Sequence, residues 1–312
     1  MDRFDALTGA LRQICPTLEL REEEPLSRHT SFRVGGPARL MALPNSEREA
    51  RIAVNTANRY EVPHFFLGNG TNLLVADAGW RGFVIKTGGM DRLEPAGETG
   101  LAAGGGVPLS RLAMAAAERG LTGLEFAHGI PGTVGGGVTM NAGAYGGELA
   151  QVVKFTSFLN ADGTVGFLQG EEHQFGYRHS AFSDGKRLIL CTRFALQPGD
   201  RAQIKADMAE LDRRRREKQP LDLPSAGSTF RRPEGHYAAA LIEGCGLKGR
   251  RVGGAQVSEK HAGFLVNRGG ATCADLLALV ELVRETVFRE TGVSLELEIR
   301  TLGLDESIGP IR

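Results

Sequence analysis
Apolar residues open the chain at helical spacing. Phe4, Leu7, Leu11 and Ile14 share one face and predict a short amphipathic helix. Gly35-Gly36-Pro37 reads as a turn leading into a strand that ends at Leu43. Ser46 and Glu49 have capping-box spacing and open a helix that runs to Asn58. Strands follow at 64–67, 73–75 and 83–86, and the first of them runs directly into Gly68-Asn69-Gly70-Thr71-Asn72. From Leu101 the order is strand, Gly104-Gly105-Gly106 turn, then a helix from Pro108 with Leu109, Leu112, Ala113 and Ala116 on one face, ended by Gly120. Segments 152–160, 164–168 and 187–196 read as strands, the first two joined by Asp162-Gly163. A charged helix over 202–218 turns Ile204, Met208 and Leu211 inward. A longer helix carries Leu276, Val280, Val283 and Val287 and stops at Gly292. The stretch 295–302 alternates: Leu295, Leu297 and Ile299 point one way, Glu296, Glu298 and Arg300 the other.

This mixture is an α+β chain. Composition shifts at Pro198-Gly199-Asp200, which marks a domain boundary; with two cofactor-sized lobes before it, the expected parts are 1–86, 87–199 and 200–302, with 303–312 returning to the first. A chain of 312 residues is long enough for two or three domains. Formal net charge is +0, so no basic field points to nucleic acid or a membrane surface. Arg213 to Arg216 fan around a helix and read as a solvated face. Cys15, Cys191, Cys245 and Cys273 are scattered with no C-x-x-C pair, so neither a metal site nor a disulfide framework is indicated and a reducing cytosol fits. The N-terminus lacks a signal-peptide pattern, and no apolar run reaches the length of a membrane span. The expectation is a soluble cytoplasmic protein, monomeric or weakly oligomeric.

Glycine concentrates in one place. Between Gly129 and Gly147 eight of nineteen positions are glycine, about three times the frequency in the whole chain, which turn-making does not explain. Successive backbone N–H groups in such loops form concavities that bind phosphate. The competing reading is a tight turn or a close strand crossing. Neither loop carries the G-x-G-x-x-G fingerprint of the doubly wound fold, and no G-x-x-x-x-G-K-[ST] occurs. Two glycine loops suggest one long anionic ligand such as a dinucleotide. Asn69, Asn72 and Asn141 lie in or beside them as donors to phosphate or a heterocycle, although each alone also reads as a turn residue. On pattern alone Arg178 reads as a surface charge, Ser228 as a turn serine and Glu298 as part of a solvated face. No G-x-S-x-G elbow surrounds Ser228, which argues against a hydrolase nucleophile.

Seven segments in order carry a resemblance. They are His29-Thr-Ser-Phe-Arg-Val-Gly-Gly-Pro-Ala38, Leu67-Gly-Asn-Gly-Thr-Asn-Leu-Leu-Val75, Gly129-Ile-Pro-Gly-Thr-Val-Gly-Gly136 with Met140-Asn-Ala-Gly-Ala-Tyr-Gly146, Tyr177-Arg178, Ala226-Gly-Ser-Thr-Phe-Arg-Arg-Pro233, Gly253-Gly-Ala-Gln-Val-Ser-Glu-Lys-His-Ala-Gly-Phe264 and Leu295-Glu-Leu-Glu-Ile-Arg300. Over about residues 28–303 the chain resembles the UDP-N-acetylenolpyruvoylglucosamine reductase family. Tyr177-Arg178 runs into Ser180 and Phe182 without a long insertion, as in the family's second type, which lacks a tyrosine-bearing loop.

The resemblance implies a vanillyl-alcohol-oxidase-type, two-lobed FAD-binding fold with a C-terminal α+β substrate domain. It implies FAD as cofactor and NADPH as co-substrate, with UDP-N-acetylglucosamine enolpyruvate reduced to UDP-N-acetylmuramate for peptidoglycan. Carried over residue by residue, the catalytic positions are Arg178, Ser228 and Glu298. Cofactor contacts fall on Arg33, on Gly68, Asn69, Gly70, Thr71, Asn72 and Leu73, on Gly129, Ile130, Pro131, Gly132, Thr133, Gly135 and Gly136, and on Asn141, Ala142 and Gly143. Substrate contacts fall on Tyr177, Lys218, Arg232, Lys248, Gln256 and Lys260. Gly137 stands where the family commonly has alanine, and His179 where an acidic residue is common. The reaction builds negative charge beside a carboxylate, which a fixed guanidinium suits. Glu298 would share a proton there if burial raised its pKa, and a very basic carbon makes a serine hydroxyl a sufficient proton donor. The alternatives are an FAD-dependent oxidase of the same fold and a nucleotide-sugar binder that has lost its flavin.

Overall fold
The computed structural model describes residues 2–304, which form two units. The larger contains residues 2–22, 40–69 and 82–214; the smaller contains 23–39, 70–81 and 215–304. The expected return of 303–312 to the first part falls mostly on 305–312, outside the described residues.

The larger unit has two cores. The first gathers α1 (Arg3–Ile14) and α2 (Glu47–Arg59) over the parallel pair His64–Leu67 and Trp80–Lys86, with His64 opposite Phe83 and Leu67 opposite Lys86. Phe4, Leu7 and Leu11 are buried as the spacing predicts, but Ile14 is 52% exposed because the helix ends there. Ser46 caps α2 by accepting from Glu49 N, while the Glu49 carboxylate reaches back to Asn45 N instead of Ser46.

The second core fills one side of a five-stranded antiparallel sheet. Its strands lie in the order Val165–Gln169, Val153–Leu159, Leu188–Ala195, Gly100–Gly104, Leu93–Pro95. The helix α3 (Leu109–Glu118) buries Leu109, Leu112, Ala113 and Ala116, the face read from sequence. A six-residue helix, α4 (Val134–Thr139), lies inside the glycine-rich stretch, where sequence alone showed only loop. Glycine disfavours helix by about 1 kcal/mol per residue relative to alanine. Tertiary bonds offset that: Val134 N donates to Val107 O and Gly135 N to Gly105 O, both at 2.8 Å. Ile204 and Met208 of α5 (Arg201–Lys218) complete this core. Arg215, read as solvated, is buried, while Arg213 and Arg214 both pair with Glu210.

In the smaller unit α6 (Ala238–Gly244) and α7 (Cys273–Thr291) pack with the short strands Arg251–Val252, Ala255–Val257 and Leu265–Asn267. Thr272 and Asp275 form a capping box at the start of α7, and Gly292 ends it at φ +73°, a conformation glycine adopts without Cβ strain. Leu276, Leu279, Val280, Val283 and Val287 are buried, each contributing about 1.5–3 kcal/mol. Phe32, Val34 and Leu74 join the same core. Thus 23–39 and 70–81, early in the chain, fold with its last third. The expected strand 295–302 pairs as a strand only at Arg300–Leu302, in parallel with Leu73–Val75. Before that it runs past Phe230 with a single bridge at Leu297. Leu295 and Ile299 are buried and Glu296 is exposed, as read, while Leu297, Glu298 and Arg300 are all half-buried.

Candidate active site
In the larger unit the two glycine segments rest on each other. Asn69 Nδ2 donates to Pro131 O at 3.0 Å. A Cβ on Gly68 would stand 2.6 Å from Thr133 Oγ1, so only glycine allows this approach. Thr133 is fully buried and its hydroxyl caps α4 by accepting from Gly136 N. The expected cofactor contacts then separate by what their backbone already does. Gly135 and Gly136 spend their N–H groups inside the protein. Gly132 O accepts from Leu109 N, and Ile130 N donates to Ala127 O. Gly129 to Gly132 form the open part of the segment, with Pro131 exposed. Ala142 N donates to Gly137 O, and Gly143 begins a two-residue pairing with Gly147–Glu148. This close-packed, glycine-rich pair of loops fits a dinucleotide, which needs backbone within contact distance.

Asn141 is 1% exposed, with φ +43°. Its Oδ1 accepts from Ala150 N at 2.9 Å and its Nδ2 donates to Gly176 O at 3.0 Å, so this amide, expected to contact the cofactor, is engaged at both ends within the protein. Gly176 and His179 close a tight turn by exchanging both backbone bonds, at 3.1 and 3.2 Å. Tyr177 and Arg178 are its tip. Arg178 has φ +53°, an uncommon conformation for a residue with a side chain. Its Nη2 donates to Gly143 O at 3.3 Å, and its guanidinium lies 5.2 Å from the Tyr177 ring. Tyr177 is 53% exposed. Behind the turn, Ser180 Oγ donates to Thr139 O, and His173 O accepts from Ala181 N. The His173 ring is fully buried, bridges Gly170 O and Thr156 Oγ1, and stacks on Phe175 at 5.0 Å. Burial pushes its pKa below the ordinary histidine value.

In the smaller unit the segment 228–231 is held from both sides. Thr229 N donates to Gly263 O, and Ser228 bridges Phe264. On the other side Glu298 N donates to Thr229 O and Arg231 N to Glu296 O, both at 2.8 Å. Ser228 and Glu298, seventy positions apart in sequence, are therefore on adjoining extended segments. Both are half-buried. Asn72 Nδ2 donates to Glu298 O at 3.1 Å, and Asn72 O accepts from Arg300 N. Leu73 is a core residue paired opposite Arg300. Gly70 O accepts from Ser31 N, Thr71 is half-buried, and Arg33 is exposed at φ +56°.

The expected substrate contacts divide in the same way. Lys218 is exposed, as is Arg232, whose guanidinium lies 4.0 Å over the Tyr237 ring. Lys248 is paired with Glu243 at 2.7 Å. Lys260 Nζ donates to Arg216 O. Gln256 is 3% exposed, and its Nε2 donates to Gly249 O and Glu259 Oε1, so it braces the protein. Burial holds His261, beside the Gly263 anchor, below the ordinary histidine value, and Lys248 acts in the same direction. The anchoring roles of Asn72 and Asn141 were not legible in sequence, because each acts on a distant backbone group, nor was that of His173, whose ring reaches the Thr156 hydroxyl.

Two family models match the chain. The FAD binding domain covers residues 38–168, and the UDP-N-acetylenolpyruvoylglucosamine reductase C-terminal domain covers 219–302. A UDP-N-acetylenolpyruvoylglucosamine reductase from Clostridium botulinum is 47% identical over 90% of this chain and 92% of its own length. One from Clostridium novyi is 46% identical over 94% and 95%. The crystal structure of the reductase from Thermus caldophilus superposes with a TM-score of 0.77 at 36% identity, covering 91% of this chain and 98% of that one.

Proposed function
The chain belongs to the UDP-N-acetylenolpyruvoylglucosamine reductase family, and from that premise we propose which residues carry each part of the reaction. The fold is the α+β, FAD-binding fold of vanillyl-alcohol-oxidase type with a C-terminal α+β domain. The enzyme is an NADPH-dependent flavoprotein that reduces UDP-N-acetylglucosamine enolpyruvate to UDP-N-acetylmuramate for peptidoglycan synthesis. We read the two cores of the larger unit as the flavin lobes 1–86 and 87–199. We read the core of the smaller unit, 215–302 with 23–39 and 70–81, as the substrate domain expected over 200–302; Ile204 and Met208 pack in the larger unit instead.

Residues Gly68, Asn69 and Gly129 to Thr133 hold FAD through close backbone approach, and Gly135, Gly136, Ala142 and Gly143 shape that surface. In the smaller unit, Gly70 to Leu73 and Arg33 are the remaining proposed FAD contacts. When bound, FAD would supply the hydride chemistry that links NADPH to the methylene carbon of the enolpyruvyl group. Negative charge then develops on the adjacent carbon and its carboxylate. Arg178 supplies a permanent charge with a planar donor fork to those oxygens. Ser228 Oγ–H donates the proton that the carbon requires, and solvent restores it. Glu298, on the segment adjoining that of Ser228, is the third catalytic position. Lys218, Arg232 and Lys260 offer cations to the diphosphate, with Tyr177 and Lys248 at its margins, and Gln256 braces Gly249. No helix among the described residues is long and apolar enough to cross a membrane, and all four cysteines are free. The free cysteines fit a reducing compartment, and we read the enzyme as cytoplasmic.

The observation that supports this reading is the bond from Glu298 N to Thr229 O, which puts the segments that carry Ser228 and Glu298 side by side. An anaerobic titration tests it. NADPH should bleach the flavin band, and UDP-N-acetylglucosamine enolpyruvate should restore it without oxygen. Recovery only on admitting oxygen would favour an oxidase instead.

A further inference from the structure
We propose that Asn141 is a positioning residue for Arg178: its amide holds the turn that presents the guanidinium, and its main service is to that turn. The inference rests on the role assigned above to Arg178. A turn with Arg178 at φ +53° stores conformational cost that its surroundings must over-determine. Local bonds between Gly176 and His179 close the turn but do not fix it to the body of the unit. Asn141 Nδ2 does so, adding a second donor to Gly176 O. Asn141 is itself fixed at the other end, since Oδ1 accepts from Ala150 N. With the side chain 1% exposed, this amide bridge is shielded from competing water. Two residues on, Gly143 O receives Arg178 Nη2. One short segment, 141–143, therefore holds both the base of the turn and the side chain at its tip. Asn141 tolerates its own positive φ better than most residues would, which explains asparagine at this position.

Asn141→Asp isolates the donor. It keeps the acceptor for Ala150 N and the backbone conformation, and turns an oxygen toward Gly176 O. Anaerobic single-turnover traces should be compared for the wild type, Asn141→Asp, Arg178→Lys and the double variant. Binding of the enolpyruvyl substrate to the oxidised protein, read from the flavin spectrum, gives a second signal. Reoxidation by substrate should slow about 10- to 100-fold in Asn141→Asp, the cost of misplacing a charge by about an ångström. Flavin content should hold, flavin reduction by NADPH should change less than about threefold, and substrate binding should weaken. The double variant should be no more than about twofold slower than Arg178→Lys alone, because the two act through one group. Loss of flavin, equal slowing of both half-reactions, or multiplicative effects in the double variant would overturn the proposal and leave the role of Arg178 standing. A wild-type reoxidation rate in Arg178→Lys would overturn that role and the proposal with it. Should Asn141→Asp fail to fold, Asn141→Gly removes the amide without burying a charge, and the same outcomes decide.

Discussion
The side-chain amide of Asn72 donates to the backbone carbonyl of Glu298, 226 positions later in the chain, at 3.1 Å. The Glu298 N–H is engaged as well, by Thr229 O at 2.8 Å. Both backbone polar groups of Glu298 are thus tied, one to the last residue of the first glycine loop and one to the residue that follows Ser228. Its carboxylate is presented by a backbone with little freedom to move.

Asn72→Ala should therefore weaken the second half-reaction more than the first. Removing this bond should also cost about 1–2 kcal/mol of stability. Thermal unfolding and single-turnover reoxidation, measured on the same preparation, check both parts. Unchanged reoxidation would mean that Asn72 contributes nothing to placing Glu298.

Gly68→Ala should reduce flavin retention. The added Cβ would stand 2.6 Å from Thr133 Oγ1, the hydroxyl that caps α4. Losing that cap and the loop contact together should cost about 1–3 kcal/mol. The ratio of flavin to protein absorbance after gel filtration reads the result; a full complement of flavin would contradict the close-approach argument.

Much of this arrangement was legible in the chain, for local reasons. α7 announced itself through its apolar stripe, Thr272 with Asp275, and Gly292 at its end. The alternation from Leu295 placed Leu295, Glu296 and Ile299 correctly, although only Arg300–Leu302 pairs as a strand. Other features depend on partners far away. The strand Glu19–Pro25, rich in glutamate, carries no apolar alternation and was not visible. α4 contains three consecutive glycines and is held by residues 105 and 107. A boundary drawn at one place in sequence does not reveal that 23–39 and 70–81 fold with 215–304. The motifs carried the resemblance to the catalytic positions, but the asparagine bonds that hold Arg178 and Glu298 connect residues 35 and more positions apart.

Stability should fall on mild acidification, partly through His173. Burial holds its folded pKa below the ordinary value of 6.5, so the unfolded chain binds the proton first. Stability is then complete above about pH 6.5 and declines as pH drops toward the folded value, levelling off below it. His64 and His261 are shifted in the same direction, again chiefly by burial. His173→Gln should lower the melting temperature near neutral pH, since it removes the stack on Phe175, yet reduce its decline between about pH 7.5 and pH 5.5. A decline as steep as in the wild type would show that His173 does not titrate on unfolding in that window.

The most direct test of the residue assignment is anaerobic stopped-flow on Ser228→Ala, with flavin reduction by NADPH and reoxidation by UDP-N-acetylglucosamine enolpyruvate recorded separately. Loss of a positioned proton donor should slow reoxidation by about 10²- to 10⁴-fold and leave flavin reduction near the wild-type rate. Equal slowing of both steps, or reoxidation at the wild-type rate, would contradict Ser228 as the source of the proton.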